Sequence, residues 1–185
     1  MPLPVAHTLA GLAVAQVQPM RFFDKKWQDV LFLIIISNSA DLDFLPGFLI
    51  GSPNLYHHGI SHSLGAALLV GMIAAWFFRK KGGYWKYALV IFLCYYFHVF
   101  LDFLTEDRRT PYGVLLFWPF NQEYFISPFL IFKKVNRSEN SLTFFQSLFN
   151  RHNFSAAWRE FWIMGLLIGF IKLLSFGKKQ KKAHP

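Results

Sequence analysis

Eight residues in this 185-residue sequence could hold metal ions: His7, Asp41, Asp43, His57, His58, His62, His98 and Asp102. Mixed imidazole and carboxylate donors suit zinc, with manganese or iron as alternatives, better than the all-oxygen sets of calcium. His98 and Asp102 are four apart, so on a helix they share one face and can grip one cation. His58 and His62 have the same spacing if a helix begins early enough. His57 reaches the same region if the turn is not yet helical, which Gly59 permits. Asp41 and Asp43 diverge in an α-helix but point the same way in an extended or turning segment, where both can bind or bridge metal. His7 stands alone in an apolar stretch and gains meaning only beside the others. The competing reading is a structural His–Asp network that clamps helices together. The donors outnumber the four of a structural zinc site, which points to two or more divalent metals and to hydrolysis by a metal-activated water. Neither a nucleophile elbow nor a phosphate loop nor a glycine-rich dinucleotide turn is present.

The elements that position these residues are apolar. Hydrophobic residues make up 54% of the chain and charged residues 16%, well below the quarter or so usual for a soluble domain. The pattern predicts an all-α integral membrane bundle, one domain over residues 1–185. About five transmembrane helices are expected, at about 4–20, 27–40, 62–78, 84–104 and 158–176. The first reads as a retained helix, because Met1–Val17 has no basic n-region. The second is expected to break at Phe44-Leu45-Pro46-Gly47. Residues 105–157, divided by prolines and dense in aromatics, read as an interfacial cap with short helices, and 136–141 as an exposed loop. Cys94 reads as a small buried hydrophobe.

The formal charge of +9 is not a nucleic-acid signal. Its basic clusters, at 21–26, 79–86 and 178–182, each abut an apolar segment, as cytoplasmic loops do. The expected topology is a multi-pass protein of the inner (plasma) membrane, amino terminus outside and carboxy terminus in the cytoplasm. All eight candidate ligands then fall on the outer side, although none was used to set the orientation.

The ordered set His7, Asp41-Leu42-Asp43, His57-His58-Gly59-Ile60-Ser61-His62-Ser63-Leu64, His98-Val99-Phe100-Leu101-Asp102 and Trp118-Pro119-Phe120 resembles a membrane-bound, metal-dependent hydrolase family, some of whose members are LexA-regulated. The match covers roughly residues 1–125. The resemblance implies an all-helical inner-membrane protein with hydrolase activity. A more distant similarity to the zinc-dependent phospholipase C and P1 nuclease group implies phosphoester chemistry. The family pattern reads His-Arg-Gly-x-Thr-His-Ser; here His58 stands at the arginine place and Ser61 at the threonine place. Alignment therefore favours His57 as the ligand, and helix geometry favours His58. Glu106–Arg109 also makes a longer turn than usual after the His-Asp pair.

The expected substrate is a phosphoester of a membrane lipid or other amphiphile. Asp41 or Asp43 would bridge metals or orient the water, Glu106 or Asp107 would accept a proton, and His58, Arg108 and Arg109 would contact substrate. Two rivals remain: a metalloenzyme cleaving amides or esters, and a non-enzymatic metal-binding transporter or sensor. Beyond Lys86 at the membrane edge, the cytoplasmic halves of the third and fourth helices carry no charged residue, which counts against transport.

Overall fold

A computed structural model describes residues 1–107 and 111–183, with side chains through Leu174. Among them there is no strand, only the isolated bridges Thr105–Phe132 and Val114–Phe125. The helices are α1 (Pro4–Val17), α2 (Lys26–Asn38), α3 (Phe44–Leu49), α4 (Leu64–Trp76), α5 (Tyr84–Phe103), α6 (Phe144–Leu148) and α7 (Arg151–Ala183). Among the described residues, three stretches are long and apolar enough to cross a membrane: Lys26–Leu49, Tyr84–Phe103 and Arg151–Leu174. The apolar helices α1 and α4 are shorter.

The main packed pairs are α1 with α2, α5 and α7, and α5 with α2 and α4. Small residues set the closest approaches. A Cβ on Gly11 would lie 2.8 Å from the Ile34 Cα, so α1 and α2 touch backbone to backbone. Large apolar side chains also remain on the outside: Leu31 and Ile35 on α2, Ile73 and Trp76 on α4, Leu89 and Leu93 on α5, Leu166 and Phe170 on α7. Helices apolar on all sides suit a lipid solvent rather than water.

The second helix does not break at Pro46. A 3-10 turn at Ser39–Asp43 interrupts it earlier, and the helix resumes as α3. Pro46 is the third residue of α3, within the first turn, where its missing N–H forfeits no helical hydrogen bond. The irregularity therefore falls on the two aspartates themselves.

Each end of the bundle is tied by polar groups. At one end Asp29 accepts from the Phe22 and Phe23 N–H groups and pairs with Arg21 at 2.6 Å. Lys81 donates to the Phe22 carbonyl and Tyr87 to that of Arg21. The basic turns at 21–26 and 79–81 thus meet. At the other end Glu160 of α7 accepts from Leu3 N–H (2.7 Å) and Ala6 N–H (3.1 Å), satisfying donors that start α1.

The described residues of 104–107 and 111–143 fold over that second end. Leu64 N–H donates to the Leu116 carbonyl and Gly65 N–H to that of Trp118. A Cβ on Gly65 would meet the Trp118 ring at 2.7 Å, so the Trp118-Pro119 step sits directly on the start of α4. Ser63 caps α4 by accepting from Ala66 N–H.

Candidate functional site: a buried histidine–aspartate cluster

The eight sequence-selected residues converge at the covered end of the bundle. The 3-10 turn brings Asp41 and Asp43, the 57–62 turn brings three histidines, α5 brings His98 and Asp102, and α1 brings His7. His7, His62, His98 and Asp102 are fully or almost fully buried. Four overlapping groups have ligand atoms within 4.8 Å of one another: His7, His98 and Asp102; Asp41, His62 and His98; Asp41, Asp43 and His57; and His57, His58 and His62.

The hydrogen bonds decide which nitrogen each imidazole offers. His98 Nδ1 donates to the Ser37 carbonyl at 2.8 Å, and Ser37 Oγ in turn donates to the His7 carbonyl. His58 Nδ1 donates to the Gly113 carbonyl at 3.1 Å, with Asp107 Oδ2 at 3.3 Å. His57 Nδ1 donates to Asp43 Oδ1 at 3.0 Å. His62 Nδ1 lies 3.0 Å from Asp43 Oδ2. Ser61 Oγ also donates to that oxygen, at 2.7 Å, and the Tyr95 hydroxyl holds the Ser61 carbonyl. Each Nδ1 thus has an acceptor, which leaves the Nε2 lone pair as the ligand atom.

Those Nε2 atoms face inward. His62 and His98 Nε2 are 3.2 Å apart and each lies 3.1 Å from Asp102 Oδ2. Both are 3.7 Å from Asp41 Oδ1. His58 Nε2 is 3.9 Å from Asp102 Oδ2, and His7 Nε2 is 3.6 Å from Asp102 Oδ1. Several of these buried atoms have no hydrogen-bond partner: both nitrogens of His7, His57 Nε2, His58 Nε2, Asp41 Oδ1 and both Asp102 oxygens. Orphaned polar atoms in an interior cost about 1–3 kcal/mol each. So many buried nitrogens and carboxylate oxygens aimed at one space is an arrangement a cation can satisfy. The residues present therefore fit divalent metal.

Burial pushes the His58 imidazole down to about 4, with the positive amino terminus adding to the effect. Burial likewise holds His57 well below its usual value, helped by His58 and Arg137. Both rings are neutral at pH 7, the form that coordinates metal.

Both His57 and His58 face the cluster, because the turn carrying them is not helical. His58 adopts φ +67°, a left-handed conformation uncommon for a side chain other than glycine. It directs the His57 and His58 rings to the same region, their centroids 4.1 Å apart.

A cavity of about 900 Å³ opens beside the cluster, with Asp43, His57, His58 and Ser61 in its lining. Asp107 also lines it and Glu106 does not; Glu106 N–H donates to the Phe132 carbonyl. Arg108 and Arg109 lie outside the described residues. The 136–141 stretch is only partly the exposed loop its sequence suggested: Arg137 is half-buried and lines the cavity. Sequence reasoning missed Arg137, Asn54 and Glu160. Glu160 carried a signal, being an acid inside an apolar helix; Asn54 and Arg137 carried none.

The molecule is thus an apolar helical bundle of membrane type with a polar, metal-competent centre at one end. The chain belongs to the YdjM inner membrane protein family, whose model matches residues 1–177. The apolar helices suit the inner membrane that the family name indicates. No curated protein and no solved structure matches the chain.

Proposed function

We propose that the protein is a membrane-bound, metal-dependent hydrolase that cleaves a phosphoester of a lipid or other amphiphile. The observation that carries this reading is the convergence of unpartnered Nε2 and carboxylate atoms beside an open cavity. A closed structural site needs no cavity. His7, His98 and Asp102 would hold one cation and His57 and His58 a second. Asp41 and His62, which belong to groups on both sides, would stand between them. Zinc suits this donor set best.

His7, Asp41, His57, His58, His62, His98 and Asp102 would hold divalent metal, which would lower the pKa of a water and polarise a phosphoryl oxygen. The chain's own residues supply the rest. Asp43 fixes the His57 and His62 rings through their Nδ1 atoms. Asp107 steadies His58 and stands on the cavity wall, where it can take a proton leaving the site.

The reading includes five membrane crossings, with α1 and α4 as short ones beside the three longer stretches. It puts the basic turns in the cytoplasm and the cluster at the outer interface. That the two basic turns meet at the end remote from the cluster supports it. Single cysteines at Lys81 and Asn136 should be labelled from opposite sides; labelling of Lys81→Cys only from outside would reverse the orientation.

The activity test is phosphate or phospho-headgroup release from a lipid panel, with and without chelator, for wild type and Asp43→Asn. Chelator-sensitive release that falls in the variant is expected. Cleavage of carboxylic esters or peptides alone would assign a different reaction class. Cleavage of nothing would favour a non-enzymatic metal-binding protein.

A further inference from the structure

We propose that the apolar recess between α2 and α4, at the end of the bundle remote from the histidine–aspartate cluster, holds an acyl chain of an anionic phospholipid whose headgroup rests on the basic turns at 21–26 and 79–86. None of the residues involved belongs to the candidate metal site.

The recess follows from how three helices pack. Both α2 and α4 pack on α5. A Cβ on Gly71 would lie 2.9 Å from the Ala88 carbonyl oxygen, so α4 is drawn tightly against α5. Between α2 and α4, aromatic rings bridge the space instead. Phe23 lies 5.5 Å from Phe78 and 5.6 Å from Phe32, and Phe32 lies 5.5 Å from Phe78, centroid to centroid and all edge to face. A cavity of about 570 Å³ remains beside them, with Phe23, Phe32, Val70, Ala74, Phe77 and Phe78 in its lining. That volume falls within the roughly 300–1,000 Å³ of small-molecule sites. Among the described residues no polar side chain lines it, so its occupant presents hydrocarbon. Phe77 is largely exposed, and the recess is reached from the lipid side.

Charge decides which lipid. Phe23 stands between Arg21 and the Lys25-Lys26 pair, and Phe78 immediately precedes Arg79-Lys80-Lys81. The two turns are joined to each other: Lys81 Nζ donates to the Phe22 carbonyl at 2.7 Å and the Tyr87 hydroxyl to the Arg21 carbonyl at 3.0 Å. They carry seven lysines and arginines, against the acids Asp24 and Asp29. Asp29 is buried and paired with Arg21 at 2.6 Å; Asp24 is exposed and offsets part of the remainder. The Arg79 guanidinium lies over the Trp76 ring at 3.9 Å. Lys25, Lys26 and Lys80 are exposed. The balance is positive, and basic clusters beside membrane helices attract anionic headgroups. A second copy of the chain seated here about a two-fold axis would bring its own basic turns against these, so like charges oppose that occupant.

The test is native mass spectrometry of the full chain in detergent, titrated with phosphatidylglycerol or with phosphatidylcholine of the same acyl chains. Phosphatidylglycerol should bind more tightly by roughly fivefold or more, the contribution of a single lysine near an anionic surface. Lys26→Gln combined with Lys80→Gln, both at exposed positions, should remove most of that preference. Ala74→Trp, which fills the recess, should weaken phosphatidylglycerol binding to a similar degree. Leu166→Trp, which adds bulk at an exposed position of α7, should leave it unchanged. Helical content and unfolding midpoint are measured for every variant, and Val70→Phe replaces Ala74→Trp if the latter does not fold. Equal affinity for the two lipids, or a preference that survives the lysine substitutions, would overturn the proposal. Phosphatidylglycerol affinity that survives filling of the recess would place the lipid on the basic turns alone and overturn it as well. Wild-type dimers that separate on filling, with no lipid preference, would give the recess to a second copy.

Discussion

The cluster has a deep side and a rim, and they are built differently. On the deep side, His7, His98 and Asp102 are sealed from solvent and come from the packed helices α1 and α5, with His98 oriented by the Ser37 carbonyl. On the rim, Asp43, His57 and His58 come from turns and face the cavity; side chains orient His57 and, with the Gly113 carbonyl, His58. Backbone carbonyls on packed helices are hard to displace, whereas turn side chains can adjust. On the proposed metal-site reading, the deep side would retain metal and the rim would exchange water and substrate.

The strongest way to break this comparison is to remove its deepest anchor. Asp102→Asn should abolish tight metal binding altogether, by at least the roughly 100-fold that loss of an outer partner alone can cost. His57→Ala should lose only part of the metal. Equal metal content in the two variants would erase the distinction between deep side and rim.

A smaller effect is expected from the support of α1. Glu160→Ala removes the acceptor for two N–H groups at the helix start and should destabilise the protein by about 1–3 kcal/mol. Thermal unfolding in detergent checks this. Because α1 carries His7, metal retention on the deep side should fall as well, and an unchanged unfolding midpoint would detach α1 from the account.

The smallest change is on the rim. Ser61→Ala deletes one hydrogen bond to Asp43 and should weaken metal binding by about tenfold, leaving the fold intact. A loss as large as that in Asp102→Asn would mean the rim is no more adjustable than the deep side.

Much of this site could be read from the residues alone, because buried ionisable groups in an apolar chain have few other uses. His98 and Asp102 were legible by helical spacing, and the aspartate pair by its place at the end of an apolar run. The local geometry was not. The polar residues at 37–43 show that the apolar run ends but not that a 3-10 turn forms there, and Pro46 is the stronger breaker by sequence. Choosing between His57 and His58 needed the positive φ at His58, which makes the choice unnecessary. Arg137 was illegible for another reason: its partner Asn54 is 83 positions away, and a polar stretch before α6 looks like any solvated loop. The long α2–α3 stretch, Lys26–Leu49, was similarly shortened by reading the proline as a stop.

The central claim is that the inward-facing nitrogens and oxygens exist to hold cations. Elemental analysis of the purified, folded protein tests it most directly, with wild type beside Asp102→Asn, each checked for intact helical content. The account predicts at least one, and on this donor set two, equivalents of a transition metal in wild type and close to none in the variant. Wild-type protein that is folded, carries no metal and takes up none on addition of zinc would contradict it, and would make the cluster a structural His–Asp network.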